Sequence, residues 1–182
     1  MGRVIPTEYA KKQSAFISDV YKAENSKLAG WWWLRSPGFS QSSVARVGLA
    51  GSLDGYCYVH NENVSIRPAF YIDLSTIKIL QDGTVVPNDD VATQTLIKAS
   101  EKQINKSQCK VSNDKYVINQ SSVKQMYRHE YKAGDIIKFG TYPQTAAGTD
   151  KTPIEWLVLD VMGDKALVIS KHGLDAKPYN TK

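Results

Sequence analysis

The chain has 182 residues, with 42% hydrophobic and 23% charged side chains, which is ordinary for a soluble globular protein of one domain. No apolar run approaches the roughly 20 residues that a membrane-spanning helix needs, and the N-terminus lacks the apolar core of a secretory signal. The formal net charge of +5 is mild, and lysine and arginine are dispersed along the chain. We therefore expect neither membrane insertion nor a nucleic-acid partner, since the latter usually requires a basic face.

The N-terminal region predicts one short helix. It covers residues 6–13, with Thr7 as the candidate N-cap. Phe16, Ile17 and Val20 continue an apolar stripe beyond it. The residues that follow are polar and have the composition of a loop.

The stretch from Gly30 to Leu74 predicts a group of antiparallel strands, because short apolar runs are broken there by Gly, Asn and Asp. The predicted strands are Trp31–Leu34, Ser43–Ala50, Tyr56–His60 and Val64–Leu74, with a small hairpin at residues 77–86. Turns are predicted at residues 36–38 and 53–55. Pro68 cannot donate to a strand ladder, so we expect an edge or a bulge at that position. Three of the four tryptophans lie in this stretch, which is where we expect a core to nucleate.

The composition changes at residues 87–131, which are rich in Asn, Gln, Ser and Lys and contain no Trp or Phe. This composition predicts a polar linker, with weak helices over 92–106 and 122–131 as an alternative. Apolar runs then predict three further strands and no element after them. These strands are Gly134–Gly140, Ile154–Val161 and Lys165–Ser170.

Cysteine and histidine are sparse. Cys57 lies in a predicted strand, where a small buried hydrophobe is the expected role, and Cys109 lies in the polar region. A disulfide between them stays open, because a single pair carries no spacing signature. The histidines His60, His129 and His172 show no zinc-ligand spacing. We expect neither a metal nor a cofactor.

Three motifs carry a resemblance to a known family. Trp32–Gly38 reads WWLRSPG, Arg67–Leu74 reads RPAFYIDL, and residues 134–144 read GDIIKFGTYPQ. The first two resemble the C-terminal half of a bacterial domain of unknown function, family 6273, and the third resembles the start of that same domain. In the family the GDIIKFG-type strands come first, whereas here they come last.

The resemblance divides the chain into three parts: a C-terminal-half-like segment at 1–86, the polar linker at 87–131 and an N-terminal-half-like segment at 132–182. Either the chain is a fragment of tandem domains or it is a rearranged single domain. Strands with two apolar faces, such as 154–161, cannot remain solvated alone. We therefore favour pairing of the two segments, within one unit or by exchange between chains, and exchange would produce a homo-oligomer.

The resemblance implies an α+β, C-type-lectin-like fold, with an irregular antiparallel sheet, one or two short helices and long loops. That fold is also found in the formylglycine-generating enzymes, and it hosts mainly binding functions and a few enzymes, so the fold alone assigns no function. The family is common in multidomain proteins of Gram-positive bacteria. We expect the chain to be part of a longer extracellular or cell-surface protein.

The candidate ligand-binding residues lie at the ends of the predicted strands and in the loops between them. An exposed tryptophan of the 31–33 run offers its face to the apolar side of a sugar ring, although burial in the core is the commoner fate. Arg35 and Arg67 bracket the sheet, and each clamps backbone carbonyls or a carboxylate such as Asp73, or binds an anionic ligand. The candidates are Trp31, Trp33, Arg35, Asp54, Tyr56, His60, Asn61 and Asn63.

No catalytic constellation is visible. The sequence contains no Gly-x-Ser-x-Gly, no His-Glu-x-x-His and no Gly-rich phosphate loop, and its oxygen-rich loops lack the signatures of calcium-dependent lectins. The favoured hypothesis is a non-catalytic recognition module that binds a glycan or a protein through loops at 40–43 and 53–63. An enzyme on a lectin-like scaffold, hydrolytic or thiol-based, and a structural spacer are the alternatives.

Overall fold

The computed structural model describes residues 2–80, 82–87, 111–112, 115–116 and 131–180. The chain divides into two compact units: unit 1 comprises Met1–Ala69, Gly140–Glu155 and Ile169–Lys182, and unit 2 comprises Phe70–Phe139 and Trp156–Val168. The two weak helices that the sequence predicts as an alternative lie outside the described residues, except for Tyr131. Cys109 and most of the predicted linker also lie outside them.

The described residues form one α-helix, two 3-10 turns and fifteen short strands. The helix is α1 (Glu8–Lys12), and the 3-10 turns are Glu24–Ser26 and Leu74–Thr76. The strands are β1 (Ile17–Lys22), β2 (Leu28–Gly30), β3 (Trp32–Pro37), β4 (Ser43–Val47), β5 (Leu53–Tyr58), β6 (Ser65–Ile66), β7 (Ala69–Asp73), β8 (Ile77–Ile79), β9 (Val85–Pro87), β10 (Val111–Ser112), β11 (Lys115–Tyr116), β12 (Ile136–Thr141), β13 (Pro153–Met162), β14 (Lys165–Ser170) and β15 (Asp175–Ala176). No helix in this described part is long and apolar enough to cross a membrane.

Helix α1 begins as the sequence predicts. The Oγ1 of Thr7 accepts a hydrogen bond from the backbone N–H of Ala10 at 3.1 Å, which satisfies one free donor of the first turn. The apolar stripe beyond the helix is a strand instead, β1, which pairs antiparallel with β2. The helix cannot extend that far because Ser14 has a φ of 77°, outside the right-handed helical region.

Unit 1 contains a five-stranded sheet with the strand order β15-β6-β3-β4-β5. Neighbouring strands are antiparallel, except that β3 and β6 run parallel with Trp32 opposite Ser65. One core of this unit consists of Trp33, Val44, Cys57 and Val64, with Trp31, Val59 and Ile66 packed against it. Strand β5 lies at the edge of the sheet.

The structure corrects the predicted bounds of several strands. The turn expected at 53–55 is wrong, because β5 already begins at Leu53 and the reversal lies at residues 48–52, where Gly51 has a φ of 86°. The backbone N–H of Gly51 donates to the carbonyl of Gly48 at 2.9 Å. The single strand predicted at 64–74 is divided at Pro68 into β6 and β7, as the missing donor of proline requires.

The last residues of the chain contain an element that the sequence did not predict. Strand β15 pairs antiparallel with β6, with Asp175 opposite Ile66 and Ala176 opposite Ser65. Beside it, the backbone N–H of Thr7 donates to the carbonyl of Gly173 at 2.9 Å. A two-residue strand is stabilised by such long-range partners, so local periodicity cannot reveal it.

Unit 2 contains most of a four-stranded sheet with the order β12-β13-β14-β7, and the predicted hairpin is present as β8 and β9. The hairpin turn includes Gly83, which has a φ of 87°. The buried ring of Trp156 stacks on Phe139 with centroids 4.9 Å apart, and its Nε1 donates to the Phe139 carbonyl at 2.9 Å. Ile79, Ile137, Val158 and Val168 are also buried.

Candidate ligand-binding face

Trp31 has both faces of its ring occupied. Phe16 stacks on it with ring centroids 4.2 Å apart and an interplanar angle of 12°, and Cζ of Arg46 lies 3.8 Å from the ring centroid. Two groups at these distances cannot share one face of the ring, so they lie on opposite faces. Trp31 therefore has no free face on which a sugar could stack, and we do not carry it into the proposed site.

Trp33 belongs to the core. Its ring is buried, and its Nε1 donates to the carbonyl of Lys177 at 2.9 Å. Tyr179 packs edge-on against it with centroids 5.8 Å apart. Trp32 is buried as well, so the sheet has apolar packing on both faces at this point. Trp33 is thereby a structural residue, like the other members of its cluster.

The two arginines differ in their surroundings. Arg35 is exposed at the end of β3. Arg67 donates from Nε to the carbonyl of Ser170 at 2.8 Å, and its Cζ lies 4.5 Å from the centroid of the Trp32 ring. Burial lowers the pKa of Arg67 to about 10. The predicted role of Arg67 as a clamp on a backbone carbonyl is confirmed.

The carboxylate of Asp54 is held by its neighbours. Its Oδ2 accepts from Nε of Arg46 at 2.8 Å and forms an ion pair with the guanidinium at the same distance, and its Oδ1 accepts from the backbone N–H of Tyr56 at 3.0 Å. The bond from Tyr56 and the bond and charge of Arg46 lower the pKa of Asp54, although partial burial opposes them. Asp54 therefore shapes the strand edge and leaves ligand contacts to its neighbours.

Three aromatic rings are exposed on or beside β5 in unit 1. Phe39 and Tyr56 are each 74% exposed, with ring centroids 4.6 Å apart, and Tyr58 is 59% exposed. His60 stacks on Tyr58 with centroids 5.5 Å apart. We call these four residues, Phe39, Tyr56, Tyr58 and His60, the aromatic row. Singly exposed apolar residues are ordinary on a surface, whereas contiguous ones mark an interaction site.

The strand geometry explains how the row is built. Successive side chains of a strand point to opposite faces, so Tyr56 and Tyr58 share the exposed face while Cys57 between them is buried in the core. Phe39 crosses towards β5 because its backbone N–H donates to the carbonyl of Gly55 at 3.0 Å. A Cβ at Gly55 would lie 2.5 Å from the Phe39 ring, so this close approach requires glycine.

Polar groups flank the row at both ends. Beside Phe39, the hydroxyls of Ser40 and Ser43 lie 3.0 Å apart, and Oγ of Ser42 lies 3.3 Å from that of Ser40. Beyond His60, Oδ1 of Asn61 accepts from the backbone N–H of Asn63 at 2.9 Å and orders the turn. Hydroxyl and amide groups next to exposed rings are the usual composition of a binding surface that recognises a polar ligand.

The backbone at the outer edge of β5 is partly occupied. The strand carries an extra residue relative to β4, because Arg46 lies opposite Asp54 whereas Val44 lies opposite Cys57. The Tyr56 N–H bonds to the Asp54 carboxylate, as described above. Such a bulge and an inward charged side chain are two ways in which proteins prevent strand addition at a sheet edge. We therefore expect a ligand to contact the side chains of β5 and not its backbone.

Unit 2 contains a concave surface. It is a shallow cavity of about 430 Å³ lined by Tyr71, Ile72, Asp73, Met162 and Lys165. The side chain and then the backbone N–H of Ser75 donate to the Asp73 carboxylate and lower its pKa. Because this carboxylate is already bonded within its own turn, the cavity has few polar groups to orient a ligand, and we do not propose a site there.

The structure thus places Tyr56, His60, Asn61 and Asn63 on β5 and in the turn that follows it, whereas Trp31 and Trp33 are packed against other side chains and Arg35 is exposed on β3. Phe39 is absent from the residues predicted from the sequence, and Tyr58 is present only within the predicted range 53–63. The Tyr-Cys-Tyr alternation on a strand with a buried cysteine is the signal that points to Tyr58. In the part of the chain that the structure describes, no group of three or more His, Cys, Asp or Glu side chains is arranged to hold a metal.

Residues 3–74 match a family described as "Domain of unknown function (DUF6273)". This match covers the segment that carries the WWLRSPG and RPAF motifs and also the whole aromatic row, and it is less than half of the chain. No curated protein and no solved structure matches the chain. The segment that contains the candidate face is therefore similar to a family whose description gives no activity.

Proposed function

We propose that the chain is a non-catalytic recognition module, and that it binds its ligand with the aromatic row of unit 1. The observation that carries this proposal is the exposure of Phe39 and Tyr56. Their ring centroids are 4.6 Å apart, and each residue is about three-quarters exposed to solvent. Exposing aromatic rings to water is unfavourable, so a ligand that covers them gains free energy of binding from the buried apolar surface.

The arrangement of polar groups favours binding over catalysis. Asp54 is bonded to Arg46 and to the Tyr56 backbone, so it is not placed as a free general base. Cys57 is buried, and burial raises the pKa of its thiol, which disfavours the thiolate that the enzyme alternative requires.

We also propose that the fold is C-type-lectin-like and that its two halves are rearranged in sequence. The irregular, mostly antiparallel strands support this arrangement, as does the pairing of β15 with β6 in unit 1. Pairing within one chain and exchange between two chains use the same strand contacts, so a swapped homo-oligomer is the alternative form. By its family resemblance, the module belongs to a longer bacterial surface or secreted protein.

The test compares matched variants on arrays of purified glycans and purified bacterial surface proteins. Tyr56→Ala combined with Tyr58→Ala removes two rings of the row, whereas Tyr71→Ala removes a ring that is 55% exposed in the other unit. We expect the double variant to lose at least about tenfold in affinity, as truncated contact residues do, and Tyr71→Ala to keep the wild-type value. Equal binding by all three proteins, or no binding by the wild type on either array, would contradict the proposal.

A further inference from the structure

Resting on the proposed recognition function, we infer that the ligand of the aromatic row is an uncharged polysaccharide, and that the sugar chain runs along β5 from Phe39 towards His60. Three observations support this ligand class: the charge around the row, the order of its rings and hydroxyls, and the occupied backbone of the strand edge.

The segment that builds the row is poor in basic residues. Between Ser36 and Asn63 the sequence contains one arginine and no lysine, against two acidic residues, which gives a formal charge of −1 with histidine neutral. The whole chain carries +5. The arginine is Arg46, and its guanidinium is already bound to Asp54 and to the Trp31 ring. A phosphate or carboxylate polymer needs several free cations, and the exposed Arg35 just before this segment supplies only one, so the segment is poorly suited to nucleic acids and acidic glycans.

A second basic side chain comes close to this region from the end of the chain. The backbone N–H of Tyr179 donates to the carbonyl of Val59, and Lys177 lies two residues before Tyr179. The ammonium group of Lys177 lies 3.2 Å from the carboxylate of the buried Asp175. The negative charge of Asp175 offsets the positive charge of Lys177, so the pair adds no net positive charge near the row.

Two rings of the row are presented side by side on one face of a strand. Tyr56 and Tyr58 project from the same face of β5 about 7 Å apart, the distance between alternate residues of a strand. Aromatic faces suit the apolar C–H side of a pyranose ring. The hydroxyls of Ser40 and Ser42 follow Phe39 in sequence and Asn61 follows His60, so these polar groups flank the row and are the ones we expect to bond to sugar hydroxyls.

The hydrogen bonds at the edge of β5 disfavour an added β-strand as the ligand. An extended peptide, or β5 of a second copy, would add to the sheet by backbone hydrogen bonds. The backbone N–H of Tyr56 already donates to the Asp54 carboxylate, and the carbonyl of Gly55 already accepts from the N–H of Phe39. The row of backbone hydrogen bonds that an added strand needs is therefore interrupted at these two residues. A sugar chain that stacks on side chains does not need this ladder.

The test measures affinities of the full chain for soluble neutral polymers (β-glucan, dextran, mannan and chitin oligosaccharides) and for hyaluronate and single-stranded DNA, at low and high salt. We expect at least one neutral polymer to bind with little dependence on salt. Tyr56→Ala and Tyr58→Ala should each weaken this binding about tenfold, whereas Tyr56→Phe and Tyr58→Phe should keep most of it, because the ring face is retained. Tyr71→Ala serves as the matched control.

Each other outcome overturns the inference in a distinguishable way. Binding to the charged polymers alone, with a strong loss at high salt, would show that the ligand is anionic. If the row binds only a protein on the array and no neutral polymer, the proposed recognition function is supported and the inferred ligand class, a polysaccharide, is wrong. If neither Tyr56→Ala nor Tyr58→Ala changes the affinity for any probe, both the recognition function of the aromatic row and the polysaccharide ligand are contradicted.

Discussion

The guanidinium of Arg46 joins Asp54 to Trp31: its Nε donates to the Asp54 carboxylate at 2.8 Å while its Cζ lies 3.8 Å above the Trp31 ring. One arginine therefore ties the tryptophan run to the strand that carries Tyr56. Because Arg46 is mostly buried while Asp54 remains partly accessible, the group is protected from full solvent screening. The candidate face is built on this fixed contact.

Replacing Arg46 by alanine is expected to destabilise the fold. The change removes a cation–π contact and an ion pair and leaves Asp54 without its partner, which together cost about 2 kcal/mol. Urea denaturation monitored by tryptophan fluorescence measures this loss. Arg35→Ala is the control, because Arg35 is exposed, and it should change the free energy of unfolding by less than about 0.5 kcal/mol. Equal effects of the two substitutions would show that the Arg46 contacts do not stabilise the protein.

Replacing Gly55 by alanine should displace Phe39 without unfolding the protein. A Cβ at this position would lie 2.5 Å from the Phe39 ring, and that ring is exposed and free to move away. Nuclear Overhauser contacts between Phe39 and Tyr56 should disappear, and ligand affinity should fall. Gly48→Ala is the matched control, because its Cβ would meet nothing closer than 3.6 Å. Persistence of the Phe39–Tyr56 contact in Gly55→Ala would contradict the described geometry.

The hydroxyl of Tyr142 donates to the buried carboxylate of Asp175 at 2.8 Å, and a double-mutant cycle can measure this bond. Tyr142→Phe leaves the carboxylate with one donor fewer and should cost about 1–3 kcal/mol in the free energy of unfolding. In the Asp175→Ala background, which removes the acceptor, Tyr142→Phe should be nearly neutral if the two groups act as a pair. Burial and then the Asp175 carboxylate raise the pKa of Tyr142 to about 12, so absorbance titration of Tyr142→Phe should lose one phenol that ionises at high pH. Additive effects in the cycle would rule out the pairing.

Stability should fall when the pH falls below the ordinary pKa of histidine. Burial lowers the pKa of His172 in the folded protein, so the unfolded chain takes up the proton more readily. The contribution of His172 is fully present above a pH of about 6.5, the unfolded value, and it is lost as the pH falls through the lower folded value. Denaturation curves of wild type and His172→Gln at several pH values measure it. A difference between the two proteins that does not change with pH would contradict this account.

Local features were predictable from the sequence, and features that depend on distant partners were not. Thr7 marked the start of α1 because an N-cap acts within four residues, and Pro68 marked the break between β6 and β7 because it lacks a donor. The occupied faces of Trp31 depend on Phe16 and Arg46, which are 15 residues away on either side. Strand β15 depends on β6, more than 100 residues earlier. No local pattern carries such information.

The candidate face was half predictable for the same reason. Tyr56, His60, Asn61 and Asn63 were found because they cluster within one short stretch of sequence. Phe39 was missed because its contact with Tyr56 depends on the absence of a side chain at Gly55. Trp31 and Trp33 were included for their chemistry, but burial and stacking decide whether a ring can meet a ligand, and these depend on the tertiary fold.

The most direct test of the recognition face is a nuclear magnetic resonance titration of the full chain with the neutral polymer that binds most tightly. We expect the largest amide shifts at residues 38–43 and 53–63, where the aromatic row and its flanking hydroxyls lie, and small shifts around Tyr71 in unit 2. Shifts centred on the unit 2 cavity, or spread evenly over the protein, would contradict the account.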